Sequence, residues 1–323
     1  MTWFDLFISV SDSTLRLSAP LVMVALAGLI SERSGVVDIG LEGKLLGGAF
    51  AAACIAYYTG NAWFGLLAAI CLSIILSMLH GLASITFRGD QIISAVAINM
   101  MVSGLTVVVA HALFSKGGFT PALSGDARFQ PITLPGAEAV ADVPILGPIY
   151  EGLISGHNLL VYVCFAAVPL IWWVLERTRF GLRLRAVGEN PAAVDTAGIN
   201  VFWMRYRALI ITGALCGVAG AYLSIANGSS FGREMSAGKG YIALAAMIFG
   251  KWRPVQAMLA CLLFGFLEAM ATVMQGVSLP LIGEIPIPFI IALPYVLTVI
   301  LLAGFIGQAI APKAIGKPYV KER

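Results

Sequence analysis

The sequence predicts an all-α, polytopic transmembrane helical bundle with eight to nine spans, and three observations support this prediction. Hydrophobic residues make up 59 % and charged residues 11 % of the chain, whereas a soluble domain has about 25 % charged residues. Apolar residues form continuous runs near the length of about 20 residues that a membrane-spanning helix needs. Lysine and arginine are concentrated in a few of the intervening segments. The composition excludes an ordinary cytosolic enzyme, a disordered chain and a nucleic-acid binder.

Nine apolar segments follow one another: eight are clear candidates for membrane spans, and the ninth is short. They are residues 15–31, 44–58, 62–85, 91–114, 158–175, 206–227, the short segment 241–250, 255–275 and 289–311. The runs are continuous, not alternating, and rich in alanine and leucine, which indicates helices and not barrel strands. We therefore expect a single transmembrane domain over residues 1–323. Segment 241–250 is too short to span alone, so it is either a broken helix lining a cavity or a re-entrant piece.

The positions of the basic residues predict the orientation of the chain. Segment 176–207 carries six arginines, and the tail after residue 311 is also basic. Basic loops remain on the cytoplasmic side, so loop 176–207 and the C-terminus are predicted to be cytoplasmic. Loop 115–157 is acidic overall and is predicted to lie outside. Loop 176–207 and the C-terminal tail can lie on the same side of the membrane only if segment 241–250 crosses it. We therefore count segment 241–250 as a crossing.

Two stretches give a weak internal repeat. Residues 34–54 and 238–261 both lead from a glycine-rich, charged stretch into an alanine-rich helix. The predicted topology places them on opposite sides, which would make the two halves inverted repeats. Discontinuous helices at matching positions of inverted halves point to a substrate site. Chance similarity between membrane segments is the alternative.

Five polar or aromatic residues in or beside the apolar segments are candidates for the substrate pathway: Asp38, Glu42, Asn99, Phe231 and Glu268. Polar groups at membrane depth are costly and usually mark a pathway or a paired structural site. As alternatives, Asp38 and Glu42 could lie in a solvated turn, and Asn99 could form hydrogen bonds between helices. Phe231 could be an anchor at the membrane interface, and Glu268 could pair with another helix. The five cysteines form no CxxC pair, so neither a disulfide framework nor a metal site is expected. No cofactor is expected either.

The chain carries no motif for its own energy source, but it contains a helix suited to docking. No GxxxxGK[ST] string occurs, so ATP is not bound by a P-loop. Asn190 and Pro191 are typical of a helix N-terminus, and Gly198 of its end. A short capped helix between two spans suits a soluble partner.

Three motifs resemble the permease subunits of ABC-type importers. They are residues 31–35 (SERSG) with 40–43 (GLEG), residues 180–193 (FGLRLRAVGENPAA) and residues 243–254 (ALAAMIFGKWRP). Their order matches that of the group handling ribose, other simple sugars, nucleosides and branched-chain amino acids. Within this group the chain is most similar to the nucleoside and simple-sugar permeases. One departure is Asp38, where members often carry Asn; the carboxylate could change substrate preference, pair with Lys44 or be neutral.

The resemblance implies a transport subunit and not an enzyme. Its expected partners are cytoplasmic ATPase subunits, a second permease that is homologous or identical, a periplasmic or lipid-anchored binding protein and a small-molecule solute, with no nucleic acid. It also implies the bacterial inner membrane, with loop 115–157 in the periplasm. The residues expected to couple the permease to the ATPase are Arg185, Gly188, Glu189, Asn190, Pro191, Ala192 and Ala193.

Other functions remain open at this point. The nearest alternative is a branched-chain amino acid permease of the same type. A different class is an ion-coupled secondary carrier with Asp38, Glu42 and Glu268 as proton sites, and a third is a channel or membrane scaffold. A self-contained carrier would not need the capped helix at residues 190–198, so that helix favours the ATP-driven importer.

Overall fold

The computed structural model describes residues 3–136, 143, 146–273, 278–279, 283–284, 292, 296 and 310–321. The helices of these residues are α1 (Trp3–Arg33), α2 (Leu41–Thr59), α3 (Ala62–Gly81), α4 (Gln91–Phe114), α5 (Leu146–Ile149), α6 (Leu159–Arg177), α7 (Arg179–Glu189), α8 (Pro191–Thr196), α9 (Val201–Ala221), α10 (Lys239–Phe249) and α11 (Pro254–Val273). Short π-helical turns extend α3 (Leu82–Thr86), α5 (Tyr150–Ile154) and α9 (Tyr222–Asn227), and Gly125–Ala127 forms a 3-10 turn. Two-residue strands β1 (Ser278–Leu279) and β2 (Gly283–Glu284) pair antiparallel.

Six helices of the described residues are long and apolar enough to cross a membrane: α1, α3 with its π turn, α4, α6, α9 with its π turn, and α11. The predicted number of eight to nine spans is therefore not confirmed. Helix α2 has 19 residues but carries Glu42 and Lys44 in its first turns. Helix α10 has 11 residues, and nearly all of predicted span 289–311 lies outside the described residues. The chain is a multi-pass helical membrane protein.

Helix α1 is the centre of the bundle. It contacts α6, α9, α10 and α11, while α9 also packs against α2 and α3. The apolar run predicted a start at residue 15, but the helix begins at Trp3. Its additional turns contain Asp12, whose side chain forms an i,i+4 ion pair of 3.0 Å with Arg16. Charges that interrupt an apolar run therefore hid the first part of the helix.

Helices α3 and α9 approach closely through two glycines of α9. A Cβ atom added to Gly213 would lie 2.6 Å from Cα of Ile74, and one added to Gly217 would lie 2.5 Å from Cα of Ile70. No side chain larger than hydrogen fits there without moving the α3 backbone. The GxxxG spacing in this chain thus serves packing within one subunit.

The basic segments meet at one end of the bundle, which we call the basic end. Arg205 donates from Nε to the carbonyl oxygen of Ser34 over 3.2 Å. In the C-terminal tail, the Ala314 amide donates to the Gly188 carbonyl over 2.9 Å, and the Gly316 amide to the Gly35 carbonyl over 3.1 Å. The arginine-rich segment and the tail therefore share one end.

The opposite end is closed by the loop after α4. The amides of Thr120 and Leu123 donate to the carbonyls of Phe231 and Ser229, over 3.1 and 2.6 Å. The Phe129 amide donates to the Ile225 carbonyl over 2.9 Å. Residues 120–129 of this loop thus pack against the end of α9 and the residues that follow it.

Residues 228–250 run from the opposite end to the basic end, as an irregular stretch followed by α10. Helix α4 shows how far along the bundle each contact lies, because α4 begins at the basic end. There the Gln91 side chain accepts from the Val37 amide over 2.7 Å. Tyr241, at the start of α10, contacts Asn99, two turns further along α4. At the end of α10, the Trp252 carbonyl accepts from Arg33, in the last turn of α1. The segment crosses the bundle although its helix alone is too short.

Candidate functional site

The N-termini of α2 and α10 meet in the interior of the bundle, joined by the side chain of Glu42. Its Oε1 atom accepts from the Gly238 amide over 2.8 Å and its Oε2 atom accepts from the Gly240 amide over 2.6 Å. These amides belong to the first turn of α10, where backbone donors have no partner within the helix and the dipole favours an anion. A Cβ atom on Gly240 would lie 2.7 Å from Cα of Glu42, so glycine permits the approach.

Asn99 of α4 binds the same junction from the side. Its Oδ1 atom accepts from the Gly43 amide over 2.7 Å. Its Nδ2 atom donates to the Ile39 carbonyl over 3.1 Å and to the Tyr241 hydroxyl over 3.0 Å. The Asn99 amide therefore bonds the starts of both α2 and α10, which is the interhelical use considered as its alternative.

Asp38 and Lys44 form an ion pair that is fully buried on both sides. The Asp38 carboxylate also accepts from the Gly40 amide over 3.2 Å, and the Lys44 carbonyl accepts from the Ser73 hydroxyl over 2.9 Å. Of the three interpretations open for Asp38, the structure supports pairing with Lys44. The pair ties the irregular stretch before α2 to the first turn of α2, and the Ser73 bond ties that turn to α3.

The remaining pathway candidates lie in different surroundings. Glu268 of α11 accepts from Nζ of Lys239 over 2.7 and 2.9 Å, and its side chain is 39 % exposed. Phe231 is fully buried, with its ring edge-on to Phe50 at a centroid distance of 5.1 Å. In this conformation Phe231 is a core side chain, while Glu268 remains accessible.

Sequence reasoning missed Lys239 and Tyr241 as partners in this region. A lysine in the first turn of a helix is unfavourable to the helix dipole, so its position signals a nearby carboxylate. That carboxylate, Glu268, is 29 residues further along the chain. Tyr241 carried no such signal, because an aromatic side chain near a helix end is common at membrane interfaces.

The junction of α2 and α10 is built for holding backbone segments and not for bond-breaking chemistry. Its buried carboxylates are engaged by two backbone amides or by a lysine, as described above. No group of three or more His, Cys, Asp or Glu side chains suited to a metal ion occurs among the residues that the structure describes. What the junction can do is hold the N-termini of α2 and α10 together.

A second candidate site is the short helix α8 at the basic end. The Asn190 side chain accepts from the Ala193 amide over 3.1 Å, and Pro191 occupies the first helical position. The helix ends at Thr196, and Gly198 follows with a φ of +79°. The predicted capped helix is confirmed.

Most of the predicted coupling residues form an exposed edge on α7 and α8, consisting of Glu189, Asn190, Ala192 and Ala193. Val194, on the opposite side of α8, is buried and anchors the helix. Gly188 is buried and accepts from the tail through its carbonyl. Arg185 donates to Glu176 over 3.1 Å. The structure thus separates an outward-facing edge from residues that hold it in place.

Comparison with known proteins assigns the family. The family model described as branched-chain amino acid transport system / permease component matches residues 11–306. The chain belongs to this permease family. Its motifs at residues 31–43, 180–193 and 243–254 therefore mark a true family relationship, and the resemblance to ABC-type importer permeases is confirmed.

Two relatives match this permease over nearly its full length. The guanosine ABC transporter permease protein NupQ of Bacillus subtilis is 39 % identical over 315 residues, covering 96 % of this chain and 95 % of that protein. The nucleoside ABC transporter permease protein NupC of Lactococcus lactis is 38 % identical over 312 residues, covering 95 % of each. A solved ABC transporter in an inward-facing conformation, described as of the metal-chelate type, aligns at 15 % identity with a TM-score of 0.46, covering 91 % of this chain and 84 % of that one. The relatives are transport subunits and not enzymes.

Proposed function

We propose that this chain is the permease subunit of an ATP-driven importer for nucleosides or related simple sugars. The observation that carries the proposal is its 39 % and 38 % identity, over at least 95 % of the chain, to permeases named for guanosine and nucleosides. Its partners are one or more ATPase subunits, a second permease that is homologous or identical, and a periplasmic or lipid-anchored binding protein. The basic end with the C-terminus faces the cytoplasm, and loop 115–157 faces the binding protein.

Alternating access in this proposal acts on the junction of α2 and α10. Of the five candidate residues, Glu42 and Asn99 lie at this junction and Glu268 is accessible, so the proposed substrate pathway passes these three. Asp38 and Phe231 are buried and support the surrounding helices. Helices α2 and α10, one from each half of the chain, both start in the interior of the bundle, which supports the idea of inverted repeats. The backbones of Gly240 and Glu42 are so close that a small shift of either helix would change the junction.

A continuous set of contacts links α8 to that junction and supports a coupling role for the exposed edge. Gly188, in the last turn of α7, packs against the Arg33 backbone. The Arg33 side chain donates from Nη2 to the Trp252 carbonyl over 2.8 Å, beside the end of α10. Nε1 of Trp252 donates to Glu32 of α1 over 2.6 Å. Movement of α8 by an ATPase subunit would reach α10, and through it Glu42, along this path.

The contacts of the carboxylates argue against an ion-coupled carrier. Asp38 is buried against Lys44, and both oxygens of Glu42 accept from backbone amides. A carrier needs carboxylates that are free to exchange protons with the transport pathway during each cycle. Both of these carboxylates are occupied by structural partners, so the ATP-driven importer fits better.

The test is nucleoside-stimulated ATP hydrolysis by the complex of this chain with its ATPase, second permease and binding protein in nanodiscs. Guanosine-loaded binding protein should stimulate hydrolysis, and Glu189→Ala/Asn190→Ala should reduce the stimulated rate to near the basal rate. The lost N-cap alone costs about 1 kcal/mol of helix stability, roughly a fivefold change in population. The matched control is Asn61→Ala, which removes the N-cap of α3, bonded to the Trp63 amide over 2.8 Å.

The control should keep its stimulation because Asn61 lies at the opposite end of the bundle. Equal losses in both variants would mean that destabilisation alone explains the result and would refute the coupling role. Failure of every nucleoside and simple sugar to stimulate the wild-type complex would contradict the proposed solute.

A further inference from the structure

We propose that a cavity at the basic end binds the headgroup of an anionic phospholipid. The cavity has a volume of about 750 Å³ and lies between α1, α6, α7 and α11. Its charged lining consists of Arg33, Arg177, Arg185, Arg253 and Glu176. We call it the arginine cavity. It lies apart from the junction of α2 and α10.

Four guanidinium groups and one carboxylate line the arginine cavity, and the carboxylate is already bonded to one of the arginines. Both Glu176 oxygens accept from Nη1 of Arg185, over 3.1 and 3.3 Å. Arg33 is fixed by donating from Nε and Nη2 to the Trp252 carbonyl, over 3.1 and 2.8 Å. Arg177 and Arg253 are exposed at the cavity. Like charges at such close quarters repel each other, so the cavity favours an anionic ligand.

Phosphate suits this lining particularly well. Guanidinium groups present planar, paired donors that match the oxygens of a phosphate. The Arg177 guanidinium lies 5.9 Å from the centre of the Trp172 ring, which also lines the cavity. A tryptophan beside a basic side chain at the end of an apolar helix is typical of the headgroup level of a membrane.

The surroundings favour a lipid over a soluble partner. Exposed apolar side chains flank the cavity on the last turns of α6 and the first turns of α11: Leu170, Trp173, Val255 and Leu259. A headgroup in the cavity would place acyl chains along these two faces. Basic pockets between transmembrane helices on the cytoplasmic side bind anionic headgroups in this way. An acidic segment of a soluble protein would leave the apolar faces uncovered.

Lipid selectivity of the full-length chain tests the proposal. The chain is equilibrated in nanodiscs with equal amounts of phosphatidylglycerol and phosphatidylcholine, and the retained lipid is measured by native mass spectrometry. Each arginine near an anionic headgroup contributes about a fivefold preference. Wild type should therefore retain phosphatidylglycerol with a preference of roughly 25-fold or more, and Arg177→Gln/Arg253→Gln should lose about 25-fold of it.

The matched control is Arg179→Gln/Arg207→Gln, which removes two exposed arginines from the same end of the bundle but not from the cavity. Arg207 lies 5.0 Å from the centre of the Trp203 ring, so the control also removes a stacked arginine. The control should keep the preference of wild type. Equal losses in the two variants would overturn the proposal, since any surface arginine would then serve.

Two further results would also overturn it. First, inorganic phosphate could protect the detergent-purified chain from thermal unfolding to the same extent as phosphatidylglycerol. The cavity would then be a site for a free anion. Second, Arg177→Gln/Arg253→Gln could keep its lipid preference but lose the ATPase that co-purifies with the wild-type chain. The cavity would then be a docking site for a protein.

Discussion

Replacing Glu42 by glutamine tests whether the carboxylate joins α10 to α2. The carboxylate accepts two backbone N–H bonds, of 2.8 and 2.6 Å, from a helix N-terminus. Glutamine has one acceptor oxygen, and its NH₂ group would face the second amide as a donor against a donor. The variant keeps the size of the side chain and changes only its charge and hydrogen-bonding capacity.

The expected loss can be estimated from these contacts. One buried amide left without an acceptor costs about 1–3 kcal/mol. Losing a negative charge at a partly buried helix N-terminus costs up to about 2 kcal/mol. We expect a combined loss of about 3 kcal/mol, and thus a melting temperature lower by roughly 5–10 °C.

The assay is thermal unfolding of the purified full-length chain in detergent, alongside nucleoside uptake in cells. The matched control is Glu234→Gln, which makes the same chemical change in an exposed side chain near the junction whose partner is the Ser103 hydroxyl. Glu42→Gln should lower both the melting temperature and uptake, whereas Glu234→Gln should change the melting temperature by no more than about 2 °C. If Glu42→Gln melts like wild type, the carboxylate does not hold α10, and the reasoning fails.

Two further predictions concern packing and buried charge. Lys44→Met leaves Asp38 buried without its cation and should cost about 3–5 kcal/mol of stability. Asp38→Asn/Lys44→Met should cost less than this single change in thermal unfolding. Additive losses from the two substitutions would contradict the buried pair. Gly217→Ala should lower stability by about 1–3 kcal/mol through overpacking against α3. Gly104→Ala is its control, because a Cβ there has no neighbour within 4 Å, and equal stability of the two variants would rule out the close approach.

Local sequence patterns predicted those parts of the fold that depend on local chemistry. Predicted span 91–114 coincides with α4, because Asp90 caps its start and accepts from the Ile92 and Ile93 amides. The helix after Asn190 was predictable for the same reason. In both cases a side chain beside the helix satisfies amides that the helix itself leaves open.

The junction of α2 and α10 was less predictable, because its contacts join distant parts of the chain. Asp38 and Lys44 are six residues apart, and their pairing was among the interpretations open from the sequence. Glu42 and Gly238 are 196 residues apart, so no local pattern links them. The sequence marked Glu42 as unusual but could not show that a backbone N-terminus, and not a solute, faces its carboxylate.

The crossing of residues 228–250 shows a similar limit. Charge distribution favoured a crossing, while the apolar run was too short for one. An irregular stretch ending at Gly238, with a φ of +79°, and helix α10 together span the bundle. A length criterion applied to continuous helices does not detect such a segment.

Uptake of radiolabelled guanosine is the most direct test of the central claim that this permease imports nucleosides with energy from ATP. Cells lacking the chain are compared with the same cells expressing it, with and without a protonophore and with and without ATP depletion. We predict uptake that needs the chain, stops on ATP depletion and persists when the proton gradient is dissipated while ATP is maintained. Uptake that follows the proton gradient and ignores ATP, or no difference between the two strains for any nucleoside, would contradict the account.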